Sequence, residues 1–141
     1  HGVELERMQA KVAETLELER TAVQPSGVGR RLLKQAERPP VDREHLDRTT
    51  FGDVRLQTEV LRLFLKQMSD QSALLRGTDD LDVRREAAHT LVGAAKGIGA
   101  FKVAAIAGEI ERAKGPIIAR MKALDAATAA ARDFIADILR D

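Results

Sequence analysis

At 141 residues with no cysteine, tryptophan or tyrosine, the chain is sized for one domain plus an extension. This composition excludes disulfide frameworks, thiol catalysis, cysteine-held zinc and an aromatic platform for bases or sugars. Twenty-three basic against 22 acidic residues leave a formal net charge of +1, which supplies no global field for nucleic acid or an anionic membrane. No run approaches the roughly 20 apolar residues of a bilayer span, and the N-terminus lacks the charged-then-apolar order of a signal peptide; with the absence of cysteine, this predicts a soluble, cytoplasmic protein.

From Val3 to about Val23, Leu5, Met8, Val12 and Leu16 recur at spacings of three and four among Glu4, Glu6, Arg7, Lys11 and Glu14, the pattern of an amphipathic helix. Its apolar stripe is narrow and would be marginal alone in water, so the helix either docks on a groove elsewhere or pairs with its copy. The second option would make a homodimer through residues 3–23. Pro25, Gly27 and Gly29 then break the pattern; Arg30 to Arg38 could form a short basic helix, read as solvated surface, which Pro39 and Pro40 close. Residues 1–41 thus read as a helical extension and linker, and 42–141 as the main domain.

Asp42 can cap a short helix running to about Thr50, with Leu46 inward, before Phe51-Gly52-Asp53 bends the chain. Within this turn His45 reads as a surface or half-buried polar residue. Asp53 can cap a long helix to about Leu75, along Leu56, Val60, Leu63, Phe64, Gln67, Ala73 and Leu74, which Gly77-Thr78 stops. Asp79 or Asp80 can cap the next, which runs to Ile98 with Gly99 as its C-terminal glycine and Leu81, Ala88, Leu91, Ala95 and Ile98 as its buried stripe. Phe101 to Lys114 forms another, with Val103, Ile106 and Ile110 inward and Ala104, Ala105, Ala107 and Gly108 allowing close helix approach. Gly115-Pro116 turns into a last helix from Ile117 to about Leu139, with Pro116 suited to its first position; Ile117, Met121, Leu124, Ala127 or Thr128, Ala131, Phe134, Ile135 and Ile138 face inward. No stretch alternates as a strand does. The prediction is an all-α chain: an antiparallel four-helix bundle with a short leading helix and an N-terminal helical extension.

One residue does not fit a core reading. At 100° per residue His89 points roughly 140° away from the centre of its helix's apolar stripe, sharing a solvent face with Arg85, Gly93 and Lys96. Gly93 and Gly97 lie inside the helix, where each costs about 0.5–1 kcal/mol relative to Ala, so something other than helix stability favours them. Three scattered histidines without a His-x-x-x-His or Glu-x-x-His pattern frame no metal site. A chain without strands has no nucleophile elbow, and without a glycine-rich phosphate loop it has no nucleotide site of its own.

The run His89-Thr90-Leu91-Val92-Gly93-Ala94-Ala95-Lys96-Gly97-Ile98-Gly99 resembles the motif of histidine-containing phosphotransfer (HPt) domains, in which His precedes x-Leu-Lys-Gly, two small residues and then an aliphatic-Gly pair. Agreement holds at His89, Leu91, Gly93, Ala94, Ala95, Ile98 and Gly99, followed by Ala100 and by Ile110-Glu111, similar to the family's Leu-Glu. Val92 stands where the family usually has lysine. The resemblance runs from about Val41 to the C-terminus.

It implies a phosphorelay carrier that is not itself an enzyme. His89 would accept a phosphoryl group from a receiver-domain aspartyl phosphate and pass it to another receiver aspartate. An imidazole titrates near pH 6.5, so near neutrality much of it keeps a lone pair free for attack, here through the outer Nε2. Lys96 would neutralise the phosphoryl oxygens in place of the lysine missing at Val92, and Arg85 could do similar work; Val92, Gly93 and Ala100 would form the docking surface. Glu111 falls where family members often carry a polar residue near the histidine. The implied partners are response-regulator receiver domains and a hybrid sensor histidine kinase. No cofactor is implied for this chain, since Mg2+ would sit on the receiver. The competing reading is a helical adaptor or dimerisation module that docks a receiver without carrying phosphate.

Overall fold

A computed structural model of the chain describes residues 38–140, together with Gln9. The expected helix and homodimer contact within residues 3–23, and the expected basic segment from Arg30, lie outside the described residues. The chain divides into two units, and the helices described below belong to the one spanning Pro40–Asp141.

Three aspartates start three helices. Asp42 accepts from His45 N at 3.1 Å and opens α1, Arg43–Thr49. Asp53 accepts from Arg55 N and Leu56 N at 2.9 and 3.2 Å and opens α2, Val54–Gly77. Of the two candidates ahead of α3, Leu81–Ile98, it is Asp80 that caps, taking Asp82 N and Val83 N at 2.8 and 3.3 Å. Gly99 then adopts φ 85°, in the left-handed region where glycine avoids the Cβ clash, and ends α3. After Ala100 the chain re-enters α4, Phe101–Arg112, and a connection through 113–117 leads to α5, Ile118–Arg140.

From α2 onward consecutive helices, joined by short loops, pack side by side and antiparallel, and α2 also meets α5, closing a four-helix bundle with α1 laid against α3. Its centre is Leu46, Leu61, Phe64, Met68, Leu91, Ile110, Leu124 and Ile135, with Val41, assigned above to the linker, also fully buried. Ala88, Ala95, Ala104 and Ala107 are buried as well, so the α3–α4 pair is built largely from small side chains. α1 is held by a backbone bond from Asp42 N to Gly99 O at 3.0 Å. His45 is half-buried, its ring edge-on to Phe101 with centroids 5.2 Å apart.

Four details correct the sequence reading. The buried stripe of α2 is Leu61, Phe64, Met68, Ser72 and Leu75, so Leu63, Ala73 and Leu74 face solvent. Leu81 opens α3 at the bundle's end and is exposed, while Ala87 is buried. Ala105, expected to help α4 approach its neighbours, is exposed. Pro116 is not the first residue of α5: Arg84 donates to Ala113 O at 2.7 Å and to Gly115 O at 3.0 Å, keeping the chain non-helical there, and the first α5 bond is accepted by Ile117 O.

Candidate functional site

α3 turns its buried stripe, Ala88, Leu91, Ala95 and Ile98, into the bundle, and the same rotation turns His89 outward with a side chain 77% exposed. The ring is nonetheless fixed. Its Nδ1 lies 2.7 Å from Oε1 of Glu111 on α4, whose side chain is 32% exposed. An ionised carboxylate only accepts, so Nδ1 carries the hydrogen and the lone pair of a neutral ring is left on Nε2. This partnership is visible in the spacing only once the α3–α4 turn is known: His89 lies ten residues before Gly99 and Glu111 eleven after Ala100, so an antiparallel pair brings them level.

Around the ring, Gly93 is exposed, and a Cβ placed there would meet no atom within 4 Å; the same holds at Gly97. Both border an apolar cavity of about 250 Å³ between α1, α2 and α3, where Val60, Leu63 and Gln67 form the opposite wall. Val92 is half-buried and packed on the core. Ala100 is fully buried: the left-handed turn at Gly99 reverses the chain, so Ala100 leaves the histidine's face and caps α4 from inside. It cannot meet a partner, and exposed Leu63 is the apolar side chain available there instead.

Lys96 and Arg85 are exposed on the histidine's face, and neither joins the ion pairs found among the described residues, which are Arg76–Asp125, His89–Glu111 and Arg140–Asp137. Helical side chains lean toward the N-terminus, so Lys96 leans toward His89 and Arg85 away from it. A second concavity of about 510 Å³, bordered by Arg76, Arg84, Met121 and Asp125, shares no residue with this face. Among the described residues no three acidic or histidine side chains cluster closely enough to hold a metal ion, and no helix is long and apolar enough to cross a membrane.

Fold and site together define a helical bundle that presents one exposed histidine, backed by a carboxylate, from the middle of an unbroken helix. The family model described as Hpt domain matches residues 59–140, and the chain belongs to that family, the histidine phosphotransfer modules of phosphorelays, which are phosphocarriers rather than enzymes with a nucleotide site. No curated protein and no solved structure matches the chain.

Proposed function

We propose that His89 is the phosphoacceptor, taking a phosphoryl group from the aspartyl phosphate of one receiver domain and delivering it to the aspartate of another. The observation that carries this reading is the 2.7 Å contact between His89 Nδ1 and Glu111 Oε1 on an otherwise exposed ring. In the transfer, the Nε2 lone pair forms the N–P bond while the P–O bond to the donor aspartate breaks and its electron pair leaves with the carboxylate. Nδ1 keeps its hydrogen throughout, so the ring becomes cationic and Glu111 stabilises it. Delivery to the second receiver is the same step reversed.

The approach to Nε2 runs over Gly93, where no side chain stands in the way, and the partner's apolar surface meets Val92, Gly93, Gly97 and Leu63. Lys96 leans in along α3 to meet the phosphoryl oxygens, whereas Arg85 leans outward and contributes only to the local field. Mg2+ belongs to the receiver, and the setting is the cytoplasm, where receivers and the kinase domain of a hybrid sensor would meet this chain. Incubation with a phosphorylated receiver domain tests the reading: the chain gains an acid-labile, base-stable label that is lost in His89→Gln. Binding without any label would leave a docking module and no carrier.

A further inference from the structure

We propose that Arg112 supplies a second cation to the phosphoryl site, reaching the transferred group from α4; this rests on His89 being the phosphoacceptor. Arg112 directly follows Glu111, and its side chain folds back over Gly108: the nearest three atoms to a Cβ placed there are Arg112 Nη1 at 3.2 Å and its Cζ and Nη2 at 3.9 Å. Gly108 is the helical neighbour of both Glu111, three residues on, and Arg112, four residues on, so the guanidinium folded over it stays on the turn of α4 that carries the carboxylate holding His89. Because α4 runs back along α3 from the turn at Gly99, the turn containing Gly108 is level with Leu91 and Val92, just past His89. Val92 offers no charge there.

Two features suit this cation to an anion that comes and goes. Arg112 is exposed and takes part in none of the ion pairs among the described residues, although Glu111 adjoins it, because that carboxylate is engaged by His89. Gly108 is the other: a Cβ there would lie 3.2 Å from Nη1, so glycine gives the guanidinium its closest approach to α4. When Nε2 is phosphorylated, two negative charges arrive on oxygens close to the Glu111 carboxylate, and the ring supplies one positive charge between them. A guanidinium on the α4 side offsets that repulsion and donates paired N–H bonds to the phosphoryl oxygens, while Lys96 approaches along α3.

The test follows labelling of His89 with two donors, a phosphorylated receiver domain and phosphoramidate, the second requiring no protein docking. Arg112→Met should slow labelling by about tenfold with both donors, and Arg112→Lys should recover part of the loss. Gly108→Ala should give at most a small loss with both, since a Cβ 3.2 Å from Nη1 shifts the guanidinium only slightly and leaves the charge in place. Thermal melting of each variant establishes that it is folded. Labelling of Arg112→Met at the wild-type rate overturns the inference and leaves the carrier reading intact. A deficit seen with the receiver alone also overturns it, by making Arg112 a docking contact. Failure of the wild type to label at His89 removes both.

Discussion

His89 and Glu111 meet across the α3–α4 interface with Nδ1 and Oε1 2.7 Å apart, so an exposed ring is oriented from behind by a carboxylate on the neighbouring helix. The pair sets which nitrogen carries the hydrogen, a choice that an isolated surface histidine leaves to solvent. Glu111→Gln, with an amide oxygen still able to accept from Nδ1–H, is expected to keep most of the transfer rate. Glu111→Ala should lower it by roughly ten- to a hundredfold, in the range of other supports to a functional histidine. Single-turnover transfer from a phosphorylated receiver reads the rate, and imidazole nitrogen shifts read the tautomer. Equal rates in both variants would remove the orienting role.

At Gly93 helix stability and the proposed partner access give opposite expectations. Since a Cβ there meets nothing within 4 Å, Gly93→Ala should stabilise the bundle by about 0.5–1 kcal/mol by removing the entropic cost of glycine in a helix. Gly93→Phe should fold as well and yet lose transfer, because the ring would stand one turn from His89 in the partner's path. Urea unfolding and a transfer assay on the same samples check both halves.

Phe51 occupies φ 55° and is 89% exposed, an unfavourable backbone for a bulky residue with little packing to offset it. Phe51→Gly is expected to raise stability by about 1 kcal/mol, the usual cost of a left-handed conformation for a residue bearing Cβ. Denaturant titration decides it: a loss of stability would mean that the ring contributes to the fold.

At Gly99 the expected sign is opposite. Its φ of 85° favours glycine, and a Cβ would lie 3.0 Å from Asp42 O and 3.2 Å from Asp42 Cβ. Gly99→Ala should therefore cost about 1–3 kcal/mol and loosen α1, since the carbonyl of Gly99 is the acceptor for Asp42 N. Calorimetry measures the loss, and amide exchange at Asp42 reports whether α1 has come away.

Local chemistry was legible where a residue acts on its own neighbours. Asp42 and Asp53 cap within three residues, and Gly99 ends α3 through its own φ, so the helix starts and this stop follow from short stretches. The phase of α2 was not legible in the same way: Leu63 adjoins Phe64 and Leu74 adjoins Leu75, and spacings of three and four admit either member of each pair until a neighbouring helix selects one. Pro116 lies ahead of α5 and not within it, because the turn is held by Arg84, about thirty residues upstream on another helix. Helical arithmetic set His89 on the solvent face, but it could not extend to Ala100, beyond a left-handed turn, nor name Glu111 as the ring's partner without knowing how α4 returns along α3.

His89 lies eight residues after Leu81 and nine before Ile98, so its own backbone is locked into the middle of α3 while its side chain stands in solvent. Its amide hydrogen should therefore exchange with deuterium about as slowly as those of Leu91 and Ala95, through opening of the whole bundle and not through local fraying. For the carrier proposed above, the histidine would be presented to a partner by backbone already held in the middle of α3, with no loop of α3 needed to position it.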